Sequence, residues 1–171
     1  MEDGEIQMEI TLKLYDGTSE KTMIRFIIAF FRVHHSQIDE VQAGEDLSGW
    51  IKEDHELYDI LGDGTPVGFV HLNWRGATVC WIEDIFVADG FRRKGIASKA
   101  IGLIEEELQK RGVEGICMDV VPDNIPALRL YHRLGYNRLS IVTVRKDMQP
   151  FETERRERIG GMDFRVKKFS D

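Results

Sequence analysis

A helix-length amphipathic segment between two strand-length apolar runs constrains the fold of this chain more than any other feature. The segment 95–111 carries apolar side chains at helical spacing on one face: Ile96, Ala100, Ile104 and Leu108. Gly112 follows at the position of a helix C-cap, and the strand-like runs occupy 78–87 and 115–121. A strand, a helix and a strand in this order predict a right-handed crossover between two parallel strands. The chain is therefore expected to belong to the α/β class.

The part of the chain before this unit predicts a mixture of helices and antiparallel strands. Alternation of apolar and polar residues indicates a strand at 8–15. Ser19 is a typical N-cap, and the helical spacing after it predicts a helix at 19–34, followed by a shorter one at 46–52. Three strand-like runs follow, separated by the turn signals GDG and NWRG, at 56–61, 66–73 and 78–87. Short turns between neighbouring strands predict an antiparallel meander.

The remaining elements complete a layered architecture. A helix is expected at 124–134 and a final strand at 136–147. The whole order predicts a three-layer α/β/α domain around a central mixed, mostly antiparallel sheet. A length of 171 residues fits one domain, so a single domain over 1–171 is expected.

Composition and charge exclude several classes of function. The net charge of -7 and the pI near 5.3 argue against a general nucleic-acid binder, because such proteins carry a basic surface. The most apolar stretch, 23–31, contains Arg25 and is too short to span a bilayer, so no membrane partner is expected. The first residues, MEDGEIQMEI, lack the features of a secretory signal, which predicts a cytoplasmic protein. The five histidines show no metal-ligand spacing, so no metal is expected.

The loop ADGFRRK before the helix at 95–111 has the composition of an anion-binding site. The first turn of a helix leaves backbone N–H groups without helical partners, and Gly95 and Ala97 would let a bulky anion approach them. Arg92, Arg93 and Lys94 add positive charge at the same point. We expect this loop to hold a pyrophosphate; the alternative interpretation is a solvated basic turn. Neither G-x-x-x-x-G-K-[ST] nor G-x-G-x-x-G occurs, which disfavours nucleoside triphosphates and nicotinamide cofactors.

Two blocks of sequence connect this loop to a known family. Arg92-x-x-Gly95-x-Ala97, preceded by the strand WIEDIFV, resembles the acyl-CoA binding signature of the GNAT N-acetyltransferase superfamily. The segment 121–136, VPDNIPALRLYHRLGY, resembles the second half of that signature. The resemblance covers about 67–148, and IEDIFVADGFRRKGIAS is similar to the polyamine (diamine) acetyltransferase branch.

The resemblance implies where acetyl-CoA would bind. Two parallel strands, 78–87 and 115–121, would splay apart into a V, with the pantetheine arm paired against one of them and the pyrophosphate on the helix amides. Asn124 would contact the pantetheine. The cofactor-binding residues that the resemblance implies are Ile85, Phe86, Val87, Arg92, Arg93, Lys94, Gly95, Ile96, Ala97, Ser98 and Asn124.

The same resemblance implies two catalytic residues. Direct attack by an amine needs a base to remove a proton from the ammonium and an acid to protonate the departing thiolate. Glu83 is the candidate base and Tyr131 the candidate acid. In a regular strand Asp84 would point to the opposite face from Glu83, although a bulge would reverse that assignment. The alternatives are a solvated or salt-bridged Glu83, a core-packed Tyr131 and an Asn124 that only caps its helix.

The last residues, 149–171, are a C-terminal extension that the resemblance does not explain. The charged run 152–158 is typical of a solvated helical face, and 162–166 alternates like an edge strand. Because an edge strand can pair with another subunit, and because the family often dimerises, a homodimer is expected.

These observations predict a cytoplasmic N-acetyltransferase that moves the acetyl group of acetyl-CoA to a primary amine in a ternary complex. A small-molecule amine is the expected acceptor, and the resemblance implies one of the polyamine type; a peptide or protein amine is the alternative. A non-catalytic CoA-binding sensor and a protein-interaction domain with a basic turn also remain open.

Overall fold

The computed structural model describes residues 8–34, 36–122, 124–149 and 153–167, in two compact units, 1–119 and 120–171. The elements of the first unit are β1 (Ile10–Leu14), α1 (Glu20–Val33), α2 (Glu40–Trp50), β2 (His55–Gly62), β3 (Thr65–Trp74), β4 (Val79–Val87), a short 3₁₀ turn (Asp89–Phe91), α3 (Ile96–Lys110) and β5 (Gly115–Met118). The strands form one sheet in the order β1-β2-β3-β4-β5, antiparallel except for the parallel pair β4 and β5. The predicted meander, crossover and mixed sheet are confirmed.

The helices α1 and α2 cover one face of this sheet. Their buried residues, among them Ile27 and Phe30 of α1 and Leu47 of α2, pack in one core with Phe69 of β3 and Phe86 of β4. The Phe69 and Phe86 rings stack with their centroids 5.8 Å apart. Aromatic packing of this kind adds to the free energy of area burial and fixes the position of both strands under α1.

The helix α3 covers the opposite face. Successive side chains of a strand alternate between faces, so Val70 and Leu72, both fully buried, point away from Phe69. Glu56 lies opposite Leu72 in the β2–β3 register, and its carboxylate accepts two hydrogen bonds from Arg111 at the end of α3, at 2.6 and 2.8 Å. This bidentate pair joins the end of α3 to the sheet.

The Glu56 carboxylate also anchors two aromatic side chains. The Trp74 Nε1–H and the Tyr58 hydroxyl donate to it at 2.9 and 2.7 Å. The Arg111 guanidinium is the main cause that lowers the pKa of Glu56 below its ordinary value of 4.5. Because the pKa is depressed in the folded state, the stabilisation is present above that value and is lost as the pH falls.

We expect Glu56→Gln to lower the free energy of unfolding by about 2 kcal/mol at neutral pH, because a charge-assisted bidentate pair is lost from a half-buried site. Urea denaturation measures the effect. The matched control is Glu53→Gln, whose side chain is exposed, and it should leave stability unchanged. The difference between wild type and Glu56→Gln should shrink as the pH falls below 4.5, and a difference that grows there would contradict the assignment.

Two predicted boundaries in this unit differ from the structure. The helix α2 begins at Glu40, not at 46, because Asp39 acts as its N-cap and accepts a hydrogen bond from the Gln42 amide at 2.8 Å. The strand β5 ends at Met118, although the strand predicted from the sequence continues to residue 121. A strand lasts only as long as its hydrogen-bonding partner, and β4 pairs with β5 only over Val79–Ile82.

The parallel strands therefore separate as predicted. Beyond Ile82, β4 continues to Val87 while the ladder with β5 stops. Within the described residues, this half of β4 has strand pairing to β3 alone, which leaves its other edge available for an extended ligand.

The second unit contains α4 (Ile125–Arg133) and a hairpin of β6 (Thr153–Ile159) and β7 (Met162–Lys167). The predicted helix at 124–134 is confirmed, and 162–166 is a strand as expected. The helix expected at 152–158 is wrong. Gly160 and Gly161 both have positive φ values, 59° and 81°, and together form the two-residue turn that closes a hairpin.

The final strand predicted at 136–147 is also wrong. The described residues there form no strand, and Leu139, Ile141 and Val144 are exposed. Alternation of side chains predicts a strand only where a neighbouring backbone supplies hydrogen-bond partners, and local sequence carries no information about that neighbour.

In the part of the chain that the structure describes, no helix combines the length and apolar character needed to cross a bilayer.

Candidate active site

A bulge in β4 brings Glu83 and Asp84 to the same face of the sheet. His71 is opposite Asp84 and Leu72 is opposite Ile82, so Glu83 is an extra residue without its own partner on β3. The Asp84 and Glu83 carboxylates both reach side chains of β3 that lie two positions apart, at 71 and 73. The expectation for a regular strand, with Asp84 on the opposite face, is therefore wrong, and the bulge is the reason.

Glu83 is held by polar neighbours. The Nη2 of Arg75 donates to both carboxylate oxygens, at 2.8 and 2.6 Å, and Asn73 donates to one of them at 3.3 Å. The Arg75 guanidinium also lies 4.8 Å above the Trp81 ring. Since the Glu83 side chain is about 30% exposed, it can still meet a ligand. The salt-bridged alternative raised for Glu83 is thus what the structure contains.

Asp84 belongs to a chain of hydrogen bonds through two histidines. Its Oδ2 lies 2.8 Å from the Nδ1 of His71, and the Nε2 of His71 lies 2.8 Å from the Nδ1 of His55. Trp50 stacks on the His71 ring at 4.6 Å. His71 is 2% exposed, and Asp84 and His55 are half-buried. Burial, with the neighbouring His71 ring as the next cause, lowers the pKa of His55 below 6.5.

Sequence reasoning missed this chain because the three residues are far apart in sequence. The spacing of the histidines along the chain gives no information about hydrogen bonds between strands. One signal was present: His71 alternates with Phe69 on a buried strand, where a histidine needs a polar partner. Within the described residues, no group of three or more His, Cys, Asp and Glu side chains is arranged to hold a metal ion.

The start of α3 has the geometry predicted for an anion site. Gly95 is left-handed with φ 75°, and Arg93 is left-handed with φ 61°. The amide of Lys99 makes the first helical hydrogen bond, to the Gly95 carbonyl at 3.0 Å. Among the described backbone hydrogen bonds, none is donated by residues 96–98, so these amides are directed beyond the helix.

The cations of this loop differ in their contacts. The Nε of Arg92 donates to the Val87 carbonyl at 2.8 Å, and its Nη1 pairs with Asp89 at 2.9 Å. The Lys94 ammonium lies 5.6 Å from the centre of the Phe91 ring. Arg92 thus fastens the loop to the end of β4, while all three cations of 92–94 stay exposed.

Two of the predicted cofactor-binding residues could contact a ligand only through their backbone groups. The side chains of Phe86 and Ile96 are buried in the core, so their backbone groups are what a ligand could reach. Gly95 has open space where a Cβ would lie. Ile85 and Val87 flank Phe86 on the part of β4 that pairs with β3 alone, and Ala97 and Ser98 are half-buried in the first turn of α3.

Asn124 and Tyr131 belong to the second unit. The Oδ1 of Asn124 accepts from the Ala127 amide at 3.2 Å, so Asn124 caps α4 as the alternative interpretation proposed. The Tyr131 ring meets the Tyr136 ring edge to face, with centroids 6.3 Å apart. The roles of Asn124 with pantetheine and of Tyr131 as an acid stay predictions.

The first unit defines a class of protein. A mixed sheet whose two parallel strands separate, beside a helix that directs free amides outward, is the architecture of an acetyl-CoA-dependent N-acetyltransferase. The family model described as "Acetyltransferase (GNAT) family" matches residues 21–136. The chain therefore belongs to the GNAT acetyltransferase family, as its sequence motifs predicted.

Individual relatives agree with this family. The chain is 29% identical over 124 residues to acetyltransferase Atu2258 of Agrobacterium fabrum, covering 72% of this chain and 80% of the relative. It is 24% identical over 102 residues to aminoglycoside N(6')-acetyltransferase type 1 of Salmonella typhimurium, and the match covers 54% of this chain and 68% of the relative. Its fold is similar to that of aminoglycoside N-acetyltransferase AAC(6')-Iy in complex with CoA, with a TM-score of 0.66 and 16% sequence identity. The two structures match over 83% of this chain and 97% of the other.

None of these three relatives is named as a polyamine acetyltransferase. The predicted membership of the polyamine branch has no support from them and stays a prediction.

Proposed function

We propose that this N-acetyltransferase acts on a primary amine of a small molecule with several amino groups, of the aminoglycoside type. The observation that carries the proposal is the bulge that turns Glu83 and Asp84 to one face of the sheet. Two adjacent carboxylates favour a cationic acceptor beside the end of the β4–β5 ladder. The name of the Salmonella relative supports an aminosugar as the acceptor.

Further negative charge lies close to this pair. Burial raises the pKa of Asp46 on α2, and the neighbouring carboxylates of Glu45 and Asp84 raise it further. Because Asp84 acts on Asp46, this one carboxylate of α2 lies within electrostatic range of Asp84. A polycation would relieve this repulsion, whereas an acceptor with a single amine would relieve only part of it.

The cosubstrate site that we propose is the start of α3. The amides of residues 96–98 would hold the pyrophosphate of acetyl-CoA, with Arg93 and Lys94 providing charge around it. The unpaired edge of Ile85–Val87 would take the pantetheine arm as an added strand. This arrangement would direct the thioester toward the bulge.

The reaction is direct attack of the amine on the thioester carbonyl. The ammonium first loses a proton, and the amine nitrogen then forms a bond to the carbonyl carbon. Backbone N–H groups near Phe86 or Val87 would hold the oxyanion. When the carbon–sulfur bond breaks, Tyr131 would donate a proton to the departing CoA thiolate and would regain one from the attacking nitrogen, which loses its second proton as the amide forms. The sequence predicts Glu83 as the base, but hydrogen bonds from Arg75 already engage both oxygens of its carboxylate. We therefore assign Glu83, which is about 30% exposed, to a contact with the substrate ammonium.

An amine panel tests this function. Acetyl-CoA would be mixed with kanamycin, spermidine, a peptide with a free N-terminus, or no amine, and free thiol and acetylated product would be followed by mass spectrometry. Acetylated kanamycin is the expected result. Preferential acetylation of spermidine or of the peptide would replace the proposed acceptor class, and coenzyme binding without release of thiol would show a CoA sensor.

We expect Tyr131→Phe to lower kcat by about a hundredfold, because general acid catalysis of thiolate departure is lost. The affinity for CoA should not change, since the hydroxyl is assigned to the reaction and not to binding. Steady-state kinetics and calorimetry measure the two quantities. Tyr136→Phe, which alters the neighbouring ring, is the control, and an unchanged kcat in Tyr131→Phe would remove the acid from the mechanism.

Three further proposals concern the whole chain. We propose a cytoplasmic protein, one domain over 1–171 and a homodimer that uses an edge of the C-terminal extension. Light scattering after size-exclusion chromatography tests the dimer.

A further inference from the structure

The hydrogen-bonded chain of Asp84, His71 and His55 joins the bulge of β4 to the start of β2. The His55 and His71 ring planes lie within 15° of each other with centroids 5.0 Å apart. This centroid separation is the one expected for two coplanar imidazole rings joined by an N–H···N hydrogen bond. Trp50 covers the His71 ring on one side, so its orientation is fixed by packing as well as by hydrogen bonds.

The Asp84 carboxylate determines the tautomers along this chain. A carboxylate only accepts, so the Nδ1 of His71 must carry a hydrogen. In neutral His71 the Nε2 is then an acceptor, and His55 must donate to it from its own Nδ1. The Nε2 of His55 is left with a lone pair. The hydrogen-bonded chain of Asp84, His71 and His55 therefore ends in a base, the Nε2 of His55.

His55 lies beside the carboxylate that we assign to the substrate ammonium. His55 is the cross-strand partner of Asn73, and Asn73 donates to Glu83. Cross-strand partners in an antiparallel pair project to the same face. Glu83 and His55 are therefore grouped on the two sides of Asn73.

We infer that His55 takes the proton of the acceptor ammonium, and that His71 and Asp84 are positioning residues that keep its Nε2 unprotonated and ready to accept. This inference rests on the proposed function and replaces Glu83 as the base.

The proton transfer balances within the chain. An N–H bond of the ammonium breaks, a bond from hydrogen to the Nε2 of His55 forms, and the nitrogen keeps the electron pair with which it attacks the thioester. The hydrogen on His55 Nδ1 can then shift to His71 Nε2, and the hydrogen on His71 Nδ1 to Asp84, which leaves three neutral groups. After product release the shifts reverse and His55 gives the proton to water.

The surroundings supply the charges that act on His55. The titratable and charged groups around the chain are Asp54, His71, Arg75, Glu83, Asp84, and Glu45 and Asp46 of α2. Burial and His71 lower the pKa of His55, while Glu83 and Asp54 oppose this effect. With a pKa below 6.5, His55 is mostly neutral at physiological pH and can accept a proton.

The test compares pH profiles of matched variants with kanamycin as acceptor, or spermidine if that is the amine acetylated. In wild type, kcat/KM should fall as the pH drops through a value below 6.5, because protonated His55 is inactive. His55→Gln should lower kcat by about a hundredfold or more, and its kcat/KM should no longer show this fall at low pH, the acidic limb of the pH profile. Asp84→Asn should keep the orientation of His71 but should move the acidic limb of the kcat/KM profile to lower pH. The reason is that protonated His55 loses the stabilising negative charge of the Asp84 carboxylate.

Three controls separate catalysis from folding. His34→Gln changes an exposed histidine outside the chain and should behave as wild type. Affinity for CoA should be the same in every variant, and added imidazole should restore part of the activity of His55→Ala. A His55→Gln variant that keeps both its kcat and its acidic limb would overturn the inference and leave the proposed function intact.

A second measurement does not depend on activity. Nitrogen NMR of histidine-labelled protein should show the hydrogen of neutral His55 on Nδ1, and a hydrogen on Nε2 would overturn the inference. If wild type releases no thiol with any amine, the proposed function fails and the inference fails with it.

Discussion

Gly95→Asp is expected to lower the affinity for CoA by about a hundredfold, which corresponds to about 2.7 kcal/mol. The new carboxylate would stand at the first turn of α3, where the amides of residues 96–98 are directed outward. A negative charge there would occupy the amides and repel the pyrophosphate. The backbone tolerates this change better than most, because aspartate enters the left-handed region, where Gly95 has φ 75°, more readily than other residues.

Gly95→Asn is the matched control. Asparagine has nearly the same size and the same tolerance for positive φ, but it carries no charge. Its affinity for CoA should remain within about tenfold of wild type, or about 1.4 kcal/mol. The difference in CoA affinity between Gly95→Asp and Gly95→Asn should decrease as salt is added, because salt screens the charge. Calorimetric titration with CoA measures both. Equal affinities in wild type and Gly95→Asp would rule out the start of α3 as the pyrophosphate site.

Gly68→Ala is expected to destabilise the fold by about 3 kcal/mol. A Cβ at residue 68 would lie 2.0 Å from the Phe86 carbonyl oxygen and 3.1 Å from the Val87 Cα. These are backbone atoms of the neighbouring strand, so they cannot rotate away as a side chain could. The strands β3 and β4 would have to separate at the end of β4 that leads into the α3 loop.

Gly102→Ala is the control for this prediction. Gly102 lies inside α3, and a Cβ there would meet no atom within 4 Å. Alanine should stabilise the helix by roughly 0.5–1 kcal/mol, because glycine loses more backbone entropy on folding. Urea denaturation at neutral pH compares both variants with wild type. A Gly68→Ala protein as stable as wild type would show that the two strands can move apart without cost.

The anion site at the start of α3 could be predicted from sequence because its parts are adjacent in the chain. Gly95, the cations before it and the helix after it lie within one short segment. A helix start presents free amides whatever surrounds it. The structure added that Arg92 is engaged with Val87 and Asp89, which depends on how the loop folds back.

The acceptor side of the site could be predicted only in part. Glu83 was identified from the family motif, but the direction of Asp84 depends on the bulge, and the bulge is a property of the register between β3 and β4. Residues near a bulge change face when one extra residue enters a strand. No local pattern in WIEDIFV indicates where that residue lies.

By itself, the sequence determined the order of the elements in the first unit, the parallel crossover, the glycine at the start of α3 and the family, because each is encoded by periodicity or by neighbouring residues. Tertiary structure decided that Glu83 and Asp84 share a face and that His55 and His71 meet Asp84. These residues come from three strands, so their contacts exist only once strand pairing has fixed the register. For the same reason the run at 136–147, which alternates like a strand, forms none where no neighbouring strand pairs with it among the described residues.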